Sequence, residues 1–260
     1  MKKNFRIVMC LAAFSAAVLV SCNDDNDAPV QASCLTGNLQ DGLVAAYTFG
    51  AGSLTDAVGS ADLTLSGGVQ LGADRDGNTE CAYAFDGQAT SYLSTQNASA
   101  LSGLAEFSVS FWYKPVTGSG QDYQVLISTD AGLPYPFGGG YWSVGLYDCF
   151  RALFSSGAAE VWDGSVAGNF ASCEDEVAAR AGSWHYLTAT YSQADNQVKI
   201  YHNGVVKATK TLVPNVSAGT VTSLFIGKGF TGTIDDIAIY NKVLTQADID
   251  ALFALDACCQ

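Results

Sequence analysis

Hydrophobic and polar positions alternate in short runs through most of the chain. FSVSFWY, residues 107–113, places Phe107, Val109, Phe111 and Tyr113 on one face and Ser108, Ser110 and Trp112 on the other. That period of two is the signature of a half-buried strand. YQVLIST (123–129), YWSVGLY (141–147), WHYLTATYS (184–192), QVKIYH (197–202) and SLFIGK (223–228) predict further strands, as does the apolar run LVAAYTF (43–49). The breaker-rich LPYPFGGG separates two of them. Asn203-Gly204 predicts a two-residue hairpin turn into VVKATKTL. One segment reads as a helix, LTQADIDALF, with Thr245 as its N-cap, Asp248 completing a capping box, and Leu244 and Ile249 at hydrophobic-staple positions. About a dozen short strands in ~225 residues, without a repeat or a second composition regime, predict one all-β domain. Its expected form is a two-sheet antiparallel sandwich with a short C-terminal helix.

The first residues follow a different rule. Lys2, Lys3 and Arg6 precede the apolar IVMCLAAFSAAVLV, a run too short for a comfortable membrane span. It ends in LVSC (19–22), which resembles a bacterial lipobox. The expected organisation is a lipoprotein signal peptide at 1–21, lipid on Cys22, an acidic linker at 22–33 and the folded domain at 34–260. The acids of NDDND (23–27) resemble the tract that sends some lipoproteins to the cell surface. The expected location is therefore the outer membrane, lipid-anchored and surface-exposed, with the acyl chains as the sole membrane contact.

Charge and cysteines narrow the class. The chain carries −13, and without residues 1–21 it would keep 9 basic against 25 acidic residues, −16. No basic stripe offsets this, so nucleic acid is not an expected partner. Beyond Cys10 and Cys22 stand Cys34, Cys81, Cys149, Cys173, Cys258 and Cys259. An even set in an exported chain, with no CxxC pair and two histidines, points to disulfides rather than zinc. The sequence does not choose among the possible connectivities. The working expectation is Cys149 with Cys173, and Cys34 with one of the C-terminal pair.

Five segments in order carry a family resemblance: GLVAAYTFGAGSLTDAVGSADLTLSG, CAYAFDG, FSVSFWYKP, SWHYLTATYSQADNQVKIYHNGVV and GTIDDIAIYNKVLTQADIDALF. Over roughly 41–253 the chain resembles the LamG-like, concanavalin A-like jellyroll domain. The resemblance implies two antiparallel sheets of six to seven strands. It also implies glycan capture in surface lipoproteins, although the fold hosts glycosidases and protein binders too. It further implies a structural calcium near the strand edge, with Asp56 (in LTDAVGS) and Asp235 as ligands. Asp74 and Asp76, in GADRDGN, form a weaker calcium-loop pattern that an Asp-Gly turn explains equally.

Candidate chemistry follows. Asp235 and Asp236 are adjacent, so a regular strand would send them to opposite faces, with Asp235 beside Ile237 and Ile239. That argues against a catalytic dyad. The Glu-x-Asp-x-Glu type strand of related glycosidases is absent. A hydrolase would need non-standard carboxylates drawn from Glu160, Asp163, Glu174 and Glu176, and CEDEV, which holds the last two, reads as a solvated loop. For sugar stacking the candidates are Tyr135, Phe137, Tyr141 and Trp142 around the glycine-rich break, with Trp162 and Asp163 in EVWDGS. Trp112, Trp184 and His185 read as packing residues, and His202, beside the hairpin turn, as solvent-facing. The expectation is non-catalytic carbohydrate binding. A protein-interaction or adhesion module contacting surface proteins is the second reading and a glycosidase the third.

Overall fold

The computed structural model describes residues 34–116, 123–129, 142–156, 160–163, 172–211 and 220–258. Its strands in chain order are β1 (Leu43–Tyr47), β2 (Thr64–Ser66), β3 (Gln70–Gly72), β4 (Ala82–Asp86), β5 (Tyr92–Thr95), β6 (Glu106–Pro115), β7 (Gln124–Ser128), β8 (Trp142–Tyr147), β9 (Arg151–Ser156), β10 (Glu160–Trp162), β11 (His185–Ser192), β12 (Gln197–His202), β13 (Val205–Thr211), β14 (Leu224–Ile226) and β15 (Thr231–Tyr240). Helix α1 (Cys173–Arg180) lies between β10 and β11, and helix α2 (Gln246–Phe253) follows β15.

The strands form two antiparallel sheets. The first runs β13-β12-β11-β6-β15-β4-β3, with β1 also paired to β15, and the second runs β10-β9-β8-β7-β14-β5-β2. Side-chain alternation closes the sandwich. Phe107, Val109, Phe111, Leu187, Ala189, Ile234 and Ile239 of the first sheet meet Val144, Leu146, Phe154, Leu126, Leu224 and Ile226 of the second. Burying a side chain of this kind contributes about 1.5–3 kcal/mol. A separate apolar layer lies on the opposite face of the first sheet, where Leu244, Ile249 and Leu252 cover Tyr186, Tyr201, Ala238 and Tyr240. The capping box of α2 is present as predicted, with Thr245 and Asp248 exchanging hydrogen bonds. Asn203 and Gly204 both adopt positive φ, 50° and 77°, which the tight β12–β13 turn requires.

A disulfide joins Cys34 to Cys258, tying the first described residue to the last. A second joins Cys149 to Cys173. Cys81 is also disulfide-bonded, and Cys259 lies outside the described residues. CEDEV is helical, not a loop. Ser172 caps α1 by accepting from the Asp175 amide, and Glu176 pairs with Arg180 one turn later.

Candidate functional site

The outer face of the second sheet carries the groups most suited to a ligand. With Val144, Leu146, Ala152, Phe154, Leu224 and Leu93 turned inward, alternation turns Ser143, Gly145, Tyr147, Ser155, Phe225, Tyr92 and Ser94 outward. Tyr147 packs against Trp162 at 5.5 Å between ring centroids. Tyr92 packs edge-on to Phe225 at 5.4 Å, and Lys228 Nζ stands 5.3 and 5.4 Å from their centroids. Between these pairs Tyr123 and Ser143 share a hydrogen bond of 2.7 Å. Gly145 makes room for that ring, because a Cβ there would lie 2.8 Å from Tyr123 and 2.4 Å from the Gln124 carbonyl. Trp162, Tyr147, Tyr123 and Tyr92 stay half-buried along this face, from β10 to β5, five strand spacings or about 24 Å, whereas Ser143, Ser155, Ser94 and Phe225 between and beside them are buried.

The predicted sugar-stacking residues separate. Tyr135, Phe137 and Tyr141 lie outside the described residues. Trp162 is half-buried and belongs to the aromatic face. Trp142 does not, because it shares the inward parity of Val144 and Leu146. It is 1% exposed and stacks on Phe107 at 4.9 Å. Asp163 also leaves the face. It is 1% exposed and directed at Arg180 and His202. Sequence reading missed Tyr92, Tyr123, Tyr147 and Phe225, although each follows from the parity of its strand or strand flank.

Asp163 is one member of an edge cluster built by β10, α1, β11 and β12. Its Oδ2 lies 3.3 Å from His202 Nδ1 and 3.6 Å from Arg180 Nη1, yet neither oxygen makes a hydrogen bond of good geometry. Burial raises its pKa, but the close approach of His202 and the charges of His202, Arg180 and Lys207 outweigh this and hold the carboxyl below its ordinary value. His202 Nε2 meets His185 Nδ1 at 3.1 Å, and His185 Nε2 donates to the Arg180 carbonyl at 2.9 Å. His202 is therefore buried, contrary to its expected exposure, because the bonds to its neighbours replace water. Burial pushes the His185 pKa down to about 4.

The hydrolytic carboxylates do not assemble as an open pair. Glu176 Oε1 accepts from Arg180 and Oε2 from Arg151. Glu174 is exposed on α1, and Glu160 stands at the start of β10.

Asp235 and Asp236 correct another expectation. The register of β15 against β6 slips between Asp235 and Ala238, and Asp236 has φ of 46°. This is a bulge, and the extra residue resets the alternation. Ile234, not Asp235, shares the core face with Ile237 and Ile239. Both carboxylates then reach one guanidinium, Arg75, at 3.4 Å for Asp235 and 2.5 Å for Asp236. Arg75 Nη2 donates to the Leu255 carbonyl, its guanidinium carbon lies 4.7 Å from the Trp112 centroid, and Asp236 accepts from the Cys258 amide. Burial, and for Asp235 the charge of Asp236, raises both carboxyl pKa values.

These contacts fit calcium poorly. Asp235 is met by Arg75 and by the Asp236 amide. Asp56 accepts from the amides of Ala46, Val58 and Ala61. N–H donors and a guanidinium take the places that a cation's oxygen shell would need. Asp74 is likewise taken up by the Asp76 and Asn78 amides, and Asp76 accepts from Ala257. The remaining acid-and-thiol grouping among the described residues, Asp148 with Cys149 and Cys173, holds its sulfurs in a disulfide.

Comparison with known proteins gives the same architecture. The model of the concanavalin A-like lectin/glucanases superfamily matches residues 85–250. No curated protein matches. Among solved structures, domain 4 of AbnA, a GH43 extracellular arabinanase from Geobacillus stearothermophilus in complex with arabinotriose, aligns with TM-score 0.59 and 21% identity over 81% of this chain and 97% of its own. The binding domain of Paraclostridial Mosquitocidal Protein 1 aligns with TM-score 0.61 and 17% identity over 82% of this chain and 52% of its own. A botulinum neurotoxin type C structure, described by cell entry that depends on two ganglioside molecules, aligns with TM-score 0.59 and 19% identity over 82% of this chain and 50% of its own. This chain thus spans about half the length of the two toxin chains.

Proposed function

We infer that this chain, which belongs to the concanavalin A-like lectin/glucanases superfamily, is a non-catalytic carbohydrate-binding module. We take it to be held at the outer-membrane surface by lipid on Cys22. The observation that carries the reading is the outer face of the second sheet, with half-buried Trp162 and Tyr147 packed together at one end, half-buried Tyr92 against the buried Phe225 at the other, and the half-buried Tyr123 between. Sugar rings present an apolar face to an aromatic ring and a hydroxyl edge to polar neighbours, and an extended face of both kinds suits an oligosaccharide. The arabinotriose complex of the arabinanase domain and the gangliosides of the neurotoxin support glycans as the ligand class. The double-arginine clamp on Glu176 supports binding over hydrolysis, since a carboxylate so held is a poor proton carrier. The anchor rests on LVSC alone.

The test is a glycan array probed with soluble residues 34–260, followed by Trp162→Ala and Tyr147→Ala. The expected result is binding to a defined set of oligosaccharides, weakened at least tenfold by either substitution, with the melting temperature little changed. Silence across the array, or binding indifferent to both substitutions, rejects the reading.

A further inference from the structure

A second opening lies on the far side of the sandwich from the aromatic face, where α2 covers the first sheet. It is a groove of about 510 Å³ between β12–β13 and the start of α2. Lys199, Tyr201, Val206 and Thr209 line it from the sheet, and Val243 and Gln246 from the α2 side. Alternation places the sheet residues. Val198 and Ile200 of β12 enter the core, so Lys199 and Tyr201 turn outward. Across the ladder Thr209 stands opposite Lys199, and Val206 opposite Tyr201. A second β-bulge sets this register. Ile200 pairs with Ala208 and Tyr201 with Val206, which leaves Lys207 as the extra residue. Lys207 lies instead beside His202, in a separate cleft at the sandwich edge.

The groove gathers polar groups that the fold leaves unused. Tyr201 is 6% exposed, with its ring in the apolar layer under α2. Its hydroxyl makes no hydrogen bond among the described residues, yet it is not sealed from solvent. Burial alone raises its pKa above the ordinary value. Buried hydroxyls normally have a partner, and this one reaches the groove. Lys199 is half-buried and makes no ion pair among the described residues, on a chain that carries −13. The acids of α2 are engaged elsewhere. Asp248 accepts from the amide and hydroxyl of Thr245, and Asp250 accepts from Gln246 Nε2. Gln246 Nε2 also donates to the Gly204 carbonyl, so both its hydrogens are used and Oε1 is left to accept. Val206, 47% exposed, and Val243 add apolar surface.

We propose that this groove binds the C-terminal end of a peptide whose last side chain is apolar. The terminal carboxylate meets Lys199 and accepts from the Tyr201 hydroxyl. The last side chain lies against Val206 and Val243, and a peptide N–H donates to Gln246 Oε1. Three requirements select this class. An unpaired ammonium beside a phenol suits a carboxylate, the valines suit an apolar side chain, and the amide oxygen needs a donor. An alkyl acid supplies the first two and has no N–H. A uronic sugar supplies the first and third and has no apolar side chain. None of this rests on the glycan reading, so the partner is a protein or peptide end held on one sheet while glycan contact stays on the other.

Calorimetry with residues 34–260 tests it. The probes are the acetylated tripeptides Gly-Ala-Val, Gly-Ala-Leu and Gly-Ala-Phe, each as free acid and as C-terminal amide, with valerate and galacturonate beside them. At least one free acid should bind about tenfold more tightly than its amide, and more tightly than valerate or galacturonate, with affinity falling as salt rises. Lys199→Gln should remove the difference between acid and amide, and Lys199→Arg should restore most of it. Tyr201→Phe should weaken the acid about threefold or more with the melting temperature unchanged, because the hydroxyl it removes bonds nothing within the fold. Lys207→Gln removes the same charge on the other side of the bulge and should change affinity less than about twofold. The proposal is overturned if no acid binds better than its amide, if valerate or galacturonate binds as tightly as the best peptide, or if Lys207→Gln weakens binding as much as Lys199→Gln. A fall in melting temperature with Tyr201→Phe would assign that hydroxyl to the fold and overturn its role in the groove.

Discussion

Two arginines, Arg75 and Arg180, each stand between a pair of buried carboxylates, and the surroundings of the two differ. Arg75 joins Asp235 and Asp236, donates to the Leu255 carbonyl and lies over Trp112. Only about 20 Å³ of space remains beside it. Arg180 joins Glu176 and Asp163, whose buried carboxylate also lies 3.3 Å from His202, and a cleft of about 340 Å³ runs beside this group. Buried ion networks are poor evidence of function by themselves. Each network keeps a buried carboxylate oxygen without a hydrogen bond, on Asp236 and on Asp163, so what separates the two is their cover: the chain's own C-terminal tail closes over Arg75, whereas Arg180 lies between α1 and the edge of the sandwich beside a wider cleft.

The largest effect should come from breaking the closed network. Arg75→Met leaves two buried carboxylates without their cation and should cost about 3–5 kcal/mol in urea unfolding. A loss below 1 kcal/mol would mean that water already reaches the pair. Removing the nearby bridge with Cys34→Ala and Cys258→Ala should cost about 2–4 kcal/mol, measured the same way against the oxidised parent.

Acid should then set the two networks against each other. His185 titrates at about 4 in the folded chain, against an ordinary 6.5 when unfolded. The unfolded chain therefore takes up that proton first. The neutral ring's contribution is complete above pH 6.5 and is lost as pH falls toward 4, by up to about 3 kcal/mol. Asp163, held below its ordinary value, loses its own contribution as pH falls further. Asp235 and Asp236 are raised, so the folded chain takes up their protons before the unfolded chain does, and acid favours folding through them. Unfolding measured from pH 7 to 4 should show the falling limb flattened in His185→Gln and steepened in Asp235→Asn. Equal slopes in both variants would dissolve the contrast. The smallest effect on stability belongs to Trp162→Ala. It should leave the melting temperature nearly unchanged while weakening glycan binding at least tenfold, about 1.4 kcal/mol.

The sequence carried much of the fold because its strongest signals are local. FSVSFWY alternates as β6 does, Asn203-Gly204 makes the hairpin turn, and Thr245 with Asp248 caps α2. Bulges are not local in this sense. Nothing in GTIDDIAIY marks Asp236 as the extra residue, because its pairing depends on β6 in a distant segment. The same holds for Lys207, whose displacement is set by β12. Helix α1 was hidden for another reason. Eight residues of weak apolar periodicity give little pattern, and the helix is held by a cap, an ion pair and a disulfide. The aromatic face was legible only in part. Trp162 stood out in a polar segment, whereas Tyr92, Tyr147 and Phe225 sit within strand patterns where an aromatic residue reads as core. His202 looked solvent-facing beside a turn, since the burial of its ring comes from Arg180 at the end of α1 and Asp163 after β10 rather than from its neighbours in sequence.

The Cys34–Cys258 bridge also changes how the domain responds to cutting. It closes a ring across a separation of 224 residues. A protease that nicks any one loop inside that ring opens a backbone but releases no fragment. The pieces part only after reduction or a second cut. A nicked domain should therefore run as one species on a non-reducing gel and as two on a reducing gel. Damage at one exposed loop would then leave the jellyroll, and anything it holds, joined to whatever precedes Cys34.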